Sequence, residues 1–179
     1  MRYSSIIALT TGLFLGACNP LENAPVGNTR VPEPAKSVQL ERYLGKWYEL
    51  ARYEASFQRG CEGVTAEYSL RPDGDVRVVN TCRQDSPTGP ARSAEAVAKP
   101  VEESNGAKLR VSFFQPIYGD YWVLDRADDY SWAIVGEPAG KNLWILSRTP
   151  NVSERQYQRL VQRAAGLGYD VSMLRRTKF

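Results

Sequence analysis

Histidine is absent from all 179 residues. That removes the commonest general base and the commonest transition-metal ligand together. Basic runs are also missing. Lys and Arg are scattered, the net charge is only +3, and the one basic doublet is Arg175–Arg176, so nucleic acid is not an implied partner. No Gly-x-Ser-x-Gly stretch and no carboxylate pair with readable spacing occurs. The chain therefore reads as a non-enzyme, with no metal site and no cofactor implied. Methionine is scarce, with 2 residues against 10 Tyr and 4 Trp, a balance that favours strands over helical bundles.

What is present is an ordinary globular composition, 42% apolar and 24% charged, in a length that suits one domain with a sizeable core. It is preceded by a leader. Arg2 supplies a positive start, and residues 6–17, "IIALTTGLFLGA", form an apolar run shorter than the roughly 20 residues a membrane span needs. Residues 1–17 are thus expected to be a signal peptide. Its end, "LGAC" at 15–18, resembles the lipobox of bacterial lipoproteins. The resemblance implies a mature chain that starts at Cys18 and is acylated on it, for example with palmitate. Asn19, standing where an aspartate would not be, resembles lipoproteins sorted to the outer membrane. The implied location is lipid-anchored at the outer membrane and facing the periplasm; plain secretion with an unmodified Cys18 is the alternative. Residues 18–36 then form a lipidated N-terminus and an extended tether with four prolines, holding the body off the membrane. The domain is expected over 37–179.

Within that domain eight strand-like runs fall near residues 46–54, 64–71, 75–82, 91–99, 107–115, 119–126, 131–137 and 142–149. Short connections such as "RPDGD", "SPTGP", "ESNG" and "EPAGKN" carry turn chemistry. Consecutive strands joined by tight turns are antiparallel neighbours, and eight of them can close into a barrel that holds one small ligand. Alternation puts Val64, Ala66, Tyr68 and Leu70 on one face, as it does Leu109, Val111 and Phe113, and Trp144, Leu146 and Arg148. A fully packed β core without a cavity satisfies the same pattern. After the strands, Ser153 and Gln156 form a capping box. Tyr157, Leu160, Val161, Ala164 and Leu167 follow at helical spacing, and Gly168 stands at the C-terminal end. A helix with one apolar stripe must lie on the outside of the barrel. The expected fold is all-β: an eight-stranded antiparallel up-and-down barrel with one C-terminal α-helix.

Three stretches in register carry a resemblance to the lipocalin family. "GKWYELAR" at 45–52 resembles its first motif, through Gly45 and Trp47. "DDYSWAIV" at 128–135 resembles the second, with Asp129 and Tyr130 in the turn between the sixth and seventh strands. "SRTP" at 147–150 resembles the third, through Arg148. "VSFFQPIYGDYWVL" and "LWILSRTP" are similar to the bacterial outer-membrane and apolipoprotein D branch. The resemblance implies that Trp47 and Arg148 meet at the closed end, with the guanidinium over the indole and Gly45 letting the chain pass close beneath. These residues then close the fold and do no chemistry.

The opposite end is the expected mouth, rimmed by residues 55–63, "RQDSPTGPAR", "QPIYGD" and "EPAGKN". The resemblance carries over three lining positions, Tyr68, Phe113 and Trp144. It implies a fatty acid or lysophospholipid ligand, stored or transported for envelope maintenance. A haem- or pigment-binding barrel is the alternative, although iron would find no histidine. A lipid-modifying enzyme and a ligand-free envelope spacer are further readings. Partners are thus the lipid ligand and the membrane reached through the anchor, and a homodimer is left open. Finally, with Cys18 assigned to the anchor, Cys61 and Cys82 remain in an oxidising compartment, which suggests a disulfide. Residue 82 should pair near residue 65 across the "PDGD" turn, so the chain before Val64 is expected to fold back to bring Cys61 near. Two free buried thiols are the alternative.

Overall fold

Alternating apolar residues and tight turns build one continuous antiparallel sheet in the computed structural model, which describes residues 25–179. A single helical turn, α1 (Leu40–Tyr43), leads into β1 (Gly45–Tyr53). It is followed by β2 (Cys61–Leu70), β3 (Val76–Gln84), β4 (Ala91–Pro100), β5 (Lys108–Phe114), β6 (Ile117–Arg126), β7 (Trp132–Gly136) and β8 (Leu143–Ser147). Each strand pairs with the one before it, and β8 returns to β1 from Tyr48↔Ser147 to Arg52↔Trp144. The barrel is closed, as expected. Helix α2 (Glu154–Gly166) starts where the capping pattern puts it: the Ser153 hydroxyl accepts a hydrogen bond from the Gln156 N–H at 3.2 Å.

Two apolar layers share the sheet. Inside, Trp47, Tyr68, Val78, Ala96, Leu109 and Leu146 belong to one buried cluster. Outside, Leu50, Ile134 and Ile145 pack under Tyr157, Leu160 and Ala164 of α2. The helix covers the outer face of the barrel, where its single apolar stripe required it to lie.

Three features depart from simple alternation. First, β1 carries a bulge between Glu49 and Ala51. It sends Leu50 and Ala51 to the outer layer and leaves Glu49 opposite Leu146 and Arg52 opposite Trp144, both inward partners. Second, β1 and β2 pair only over Gly45–Tyr48 and Thr65–Tyr68. Above that point the seam is filled by a ninth strand that the sequence did not announce, β9 (Leu174–Arg176). It runs antiparallel to β1 from Ala51↔Arg176 to Tyr53↔Leu174. On its other side, the Gly63 N–H donates to the Lys178 carbonyl at 2.8 Å.

Third, the chain ahead of the barrel is extended but does not hang free. The Gly27 and Asn28 N–H groups donate to the Gly140 carbonyl at 3.0 and 3.2 Å, and the Asp170 N–H donates to the Gly27 carbonyl at 2.8 Å. Lys36 donates to the Arg126 carbonyl at 2.8 Å, and Arg126 in turn reaches the Ser37 carbonyl. Residues 27–36, expected as tether, are strapped along the flank of the barrel. The leader and residues 18–24 of the tether, Cys18 included, lie outside the described residues.

Candidate functional site

The interior changes character along the barrel axis. On β4 the inward positions are Ala98, Ala96 and Ala94, set by the pairings Val76↔Ala98, Val78↔Ala96 and Asn80↔Ala94. Ala98 and Ala96 are 0% and 2% exposed, whereas Ala94 is open. On β5, Leu109 is buried and Val111 half-buried. On β6, Val123 is buried, Tyr121 half-buried and Gly119 exposed. The lower half of the barrel is therefore packed, while the wall of the upper half stays accessible from the mouth.

The closed end is built around Trp47 and Arg148. The Arg148 guanidinium carbon stands 3.7 Å from the centroid of the fully buried Trp47 ring. Arg148 donates to the carbonyls of Lys46 and Arg42 at 2.9 and 2.8 Å, and the Trp47 indole N–H donates to the Tyr43 carbonyl at 2.8 Å. Gly45 has φ +88°, and a Cβ there would meet Arg148 only at an ordinary 3.5 Å. Its backbone angle, rather than a tight passage beneath the strand, is what calls for glycine. In the turn after β6, Asp129 accepts from the Ser131 N–H at 2.9 Å. Tyr130, buried, lies between the guanidinium groups of Arg42 and Arg126 at 4.3 and 4.4 Å. Its hydroxyl accepts from the Gln39 N–H at 2.8 Å, tying α1 across the barrel floor.

Above Trp47 lies a chain of three phenols. The Tyr121 hydroxyl is 2.7 Å from that of Tyr43 and 2.8 Å from that of Tyr68. Burial pushes the Tyr68 hydroxyl up to about 12 and raises Tyr43 and Tyr121 well above the ordinary tyrosine value. All three are neutral at physiological pH. They offer a hydrogen-bonding floor without charge.

The three sequence-derived lining residues are not equivalent. Tyr68 is deep, 5% exposed, and its hydroxyl is engaged by Tyr121. Trp144 packs half-buried against the same interior cluster, and its indole N–H donates to Gln58 Oε1 at 2.8 Å. Both polar handles thus have protein partners, which leaves the ring faces as apolar surface. Phe113 is not part of that cluster. It lies 42% exposed inside the interval where the β5–β6 register shifts, between Val111 and Phe114, so strict alternation does not hold there.

A buried polar group beside Trp144 went unread in the sequence. Arg52, fully buried, donates to Glu49 Oε1 at 2.8 Å and to the Gln58 and Cys61 carbonyls at 3.1 and 3.0 Å. Gln58 Nε2 donates to the second Glu49 oxygen at 2.8 Å, and the Thr177 hydroxyl to the first at 2.6 Å. Trp144, Gln58, Glu49 and Arg52 therefore form one connected chain. The usable signal was two opposite charges three residues apart in an apolar strand, "ELAR". Next to this network Cys61 and Cys82 form a disulfide with Cα atoms 5.3 Å apart. No fold-back is needed. β2 runs on to Cys61, and a bulge at Gly63 (φ +53°), between Glu62 and Thr65, shifts the register so that the two cysteines meet.

Among the described residues, no group of three or more metal-binding side chains is found. Residues 38–179 match the model of the Lipocalin-like domain. The outer membrane lipoprotein Blc of Vibrio cholerae is 40% identical over 164 residues, spanning 90% of this chain and 95% of its own length. Mouse apolipoprotein D is 31% identical over 182 residues, spanning 96% and 92%. Among solved structures, insecticyanin from the tobacco hornworm Manduca sexta superposes with a TM-score of 0.67 at 19% identity, covering 87% of this chain and 88% of that one.

Proposed function

The chain belongs to the lipocalin family, and from that premise we propose that it holds one long-chain amphiphile, a fatty acid or lysophospholipid, in the open half of its barrel. Lipocalins are in general binding proteins, and small hydrophobic ligands suit this interior. The carrying observation is the gradient on β4, from sealed Ala98 and Ala96 to open Ala94. A tail entering there would lie along small and apolar side chains and meet the faces of Trp144 and Tyr68, with Phe113 at the rim. Burial of about ten methylenes contributes roughly 8 kcal/mol before association costs of several kcal/mol. Micromolar to sub-micromolar binding follows.

Cys18 carries the acyl anchor in this reading, and the protein sits at the outer membrane, as the name of the Vibrio relative states for that protein. The role is storage or transport of lipid for the envelope. The test uses the native tryptophans. A brominated fatty acid titrated into the protein should quench Trp144 and leave Trp47, sealed beneath Tyr43, largely unaffected. A Trp144→Phe chain should then lose most of the quenching. Equal quenching in parent and variant would remove Trp144 from the lining.

A further inference from the structure

We infer that the open mouth of the barrel faces, and its rim dips into, the bilayer that holds the anchor, so that lipid passes between membrane and cavity without crossing water. The inference rests on the reading of Cys18 as the acylated residue and goes beyond it, because an anchor alone leaves the orientation of the body free.

Two independent observations carry it. The first is where the chain leaves the body. Gly27 and Asn28 bind the Gly140 carbonyl, in the β7–β8 connection, which belongs to the mouth end. Asn28 is 5% exposed and its Nδ2 donates to the Leu167 carbonyl at 2.9 Å, closing the C-terminal end of α2. A Cβ on Gly27 would stand 2.2 Å from the Tyr53 ring, so the strap fits its groove only as glycine. From this clamp the strap runs to the closed end, where Val38 donates to the Asn105 carbonyl at 2.9 Å. The described chain therefore leaves the body on the mouth side, and the nine residues from Cys18 to the clamp can span at most about 30 Å. Placing the closed end on the lipid would demand that this link run back, nearly straight, along the height of the barrel.

The second observation is what the mouth presents. Phe57 (62% exposed) stands in the β1–β2 connection, and Phe114 (80%) and Ile117 (76%) stand at the β5–β6 hairpin beside Phe113. Val26, next to the clamp, is exposed as well. Away from the mouth, among the described residues, only Leu70 and Phe179 are large, apolar and exposed. Large apolar side chains gathered on loop tips are unfavourable in water and favourable at the boundary between headgroups and acyl chains. The rim and the anchor point the same way.

The test labels the full lipidated chain, in which Cys61 and Cys82 are bonded and Cys18 is acylated, at one introduced cysteine. Phe114→Cys reports the mouth, and Asp73→Cys reports the β2–β3 turn at the closed end. Each is coupled to an environment-sensitive fluorophore and reconstituted in phosphatidylethanolamine–phosphatidylglycerol vesicles containing a spin-labelled lipid. The expected result is a blue-shifted emission at position 114 that the spin-labelled lipid quenches, with solvent-like, unquenched emission at position 73. Quenching at 73 equal to or above that at 114, or at neither position while the chain stays on the vesicles, overturns the orientation but keeps the anchor. A parent chain that floats free of membranes overturns both, and fractionation distinguishes that result from the others.

Discussion

The Arg148 guanidinium stacks on the Trp47 indole at 3.7 Å while its nitrogens hold the carbonyls that end α1 and begin β1. One side chain thus seals the barrel floor from below and fixes the entering chain. A planar fork is what this geometry uses, and lysine cannot supply it. Arg148→Lys should lower stability by about 1–3 kcal/mol through lost charge-assisted hydrogen bonds. Trp47→Ala, which empties the plug, should lower it by about 3–5 kcal/mol. Urea denaturation of the two variants checks both values and their order.

The Glu49–Arg52 pair should behave differently when halved and when removed whole. Glu49→Gln leaves a buried guanidinium short of its main counter-charge, and a loss of about 3–5 kcal/mol is expected. Glu49→Leu combined with Arg52→Met removes both charges and should lose much less than the single changes sum to. A double-mutant cycle measures the coupling. Additive single effects would show that the pair is not the unit.

Removal of the Cys61–Cys82 bond opens a loop of 21 residues in the unfolded chain. The paired change Cys61→Ala and Cys82→Ala should therefore destabilise by about 3 kcal/mol on loop entropy. Denaturation of the oxidised parent and this variant, side by side, gives the difference.

The phenol chain predicts an alkaline limit. Burial lifts the folded Tyr68 hydroxyl to about 12, whereas an unfolded tyrosine ionises near 10. As pH climbs from about 10 the unfolded chain has fewer protons bound than the folded one, so stability falls with pH over that window. The stabilisation held by the neutral phenols is complete below about pH 10 and is lost as pH rises through about 12. Tyrosinate absorbance during alkaline titration should show late-ionising groups, and Tyr68→Phe should remove one of them. Tyr121→Phe, which strips Tyr43 and Tyr68 of their shared partner, should destabilise by about 1–3 kcal/mol at neutral pH.

The strands, their order and α2 were legible in the sequence because each is specified locally, by a period of two, a turn or a cap. What escaped is specified across distance. β9 is three residues, "LRR", with no apolar pattern, and exists because β1 and β2 part above Tyr48. The strap 27–36 has a tether's composition, and it is distant residues, Gly140, Leu167 and Asp170, that hold its start in place. Glu49 follows Trp47 inward by ordinary alternation, but Arg52 joins it there only because one bulge shifts β1, and a shift of one residue exchanges the faces of a strand. The same rule limits Phe113, which lies within the β5–β6 register shift. Tyr68 and Trp144 sit in regular register, and there alternation was a sufficient guide to the interior.

Lipid binding in this barrel requires an open upper half that takes the tail, and filling that space tests it most directly. Ala94 faces inward on β4 and is exposed, so Ala94→Trp should occupy the cavity without disturbing the packed half below. Native mass spectrometry and titration with a lysophospholipid would compare this variant with the parent. The parent should retain one lipid per chain. The variant should bind at least about tenfold more weakly, a change of roughly 1.4 kcal/mol, with its urea midpoint unchanged. Equal lipid binding by the two chains would contradict a ligand in the upper barrel.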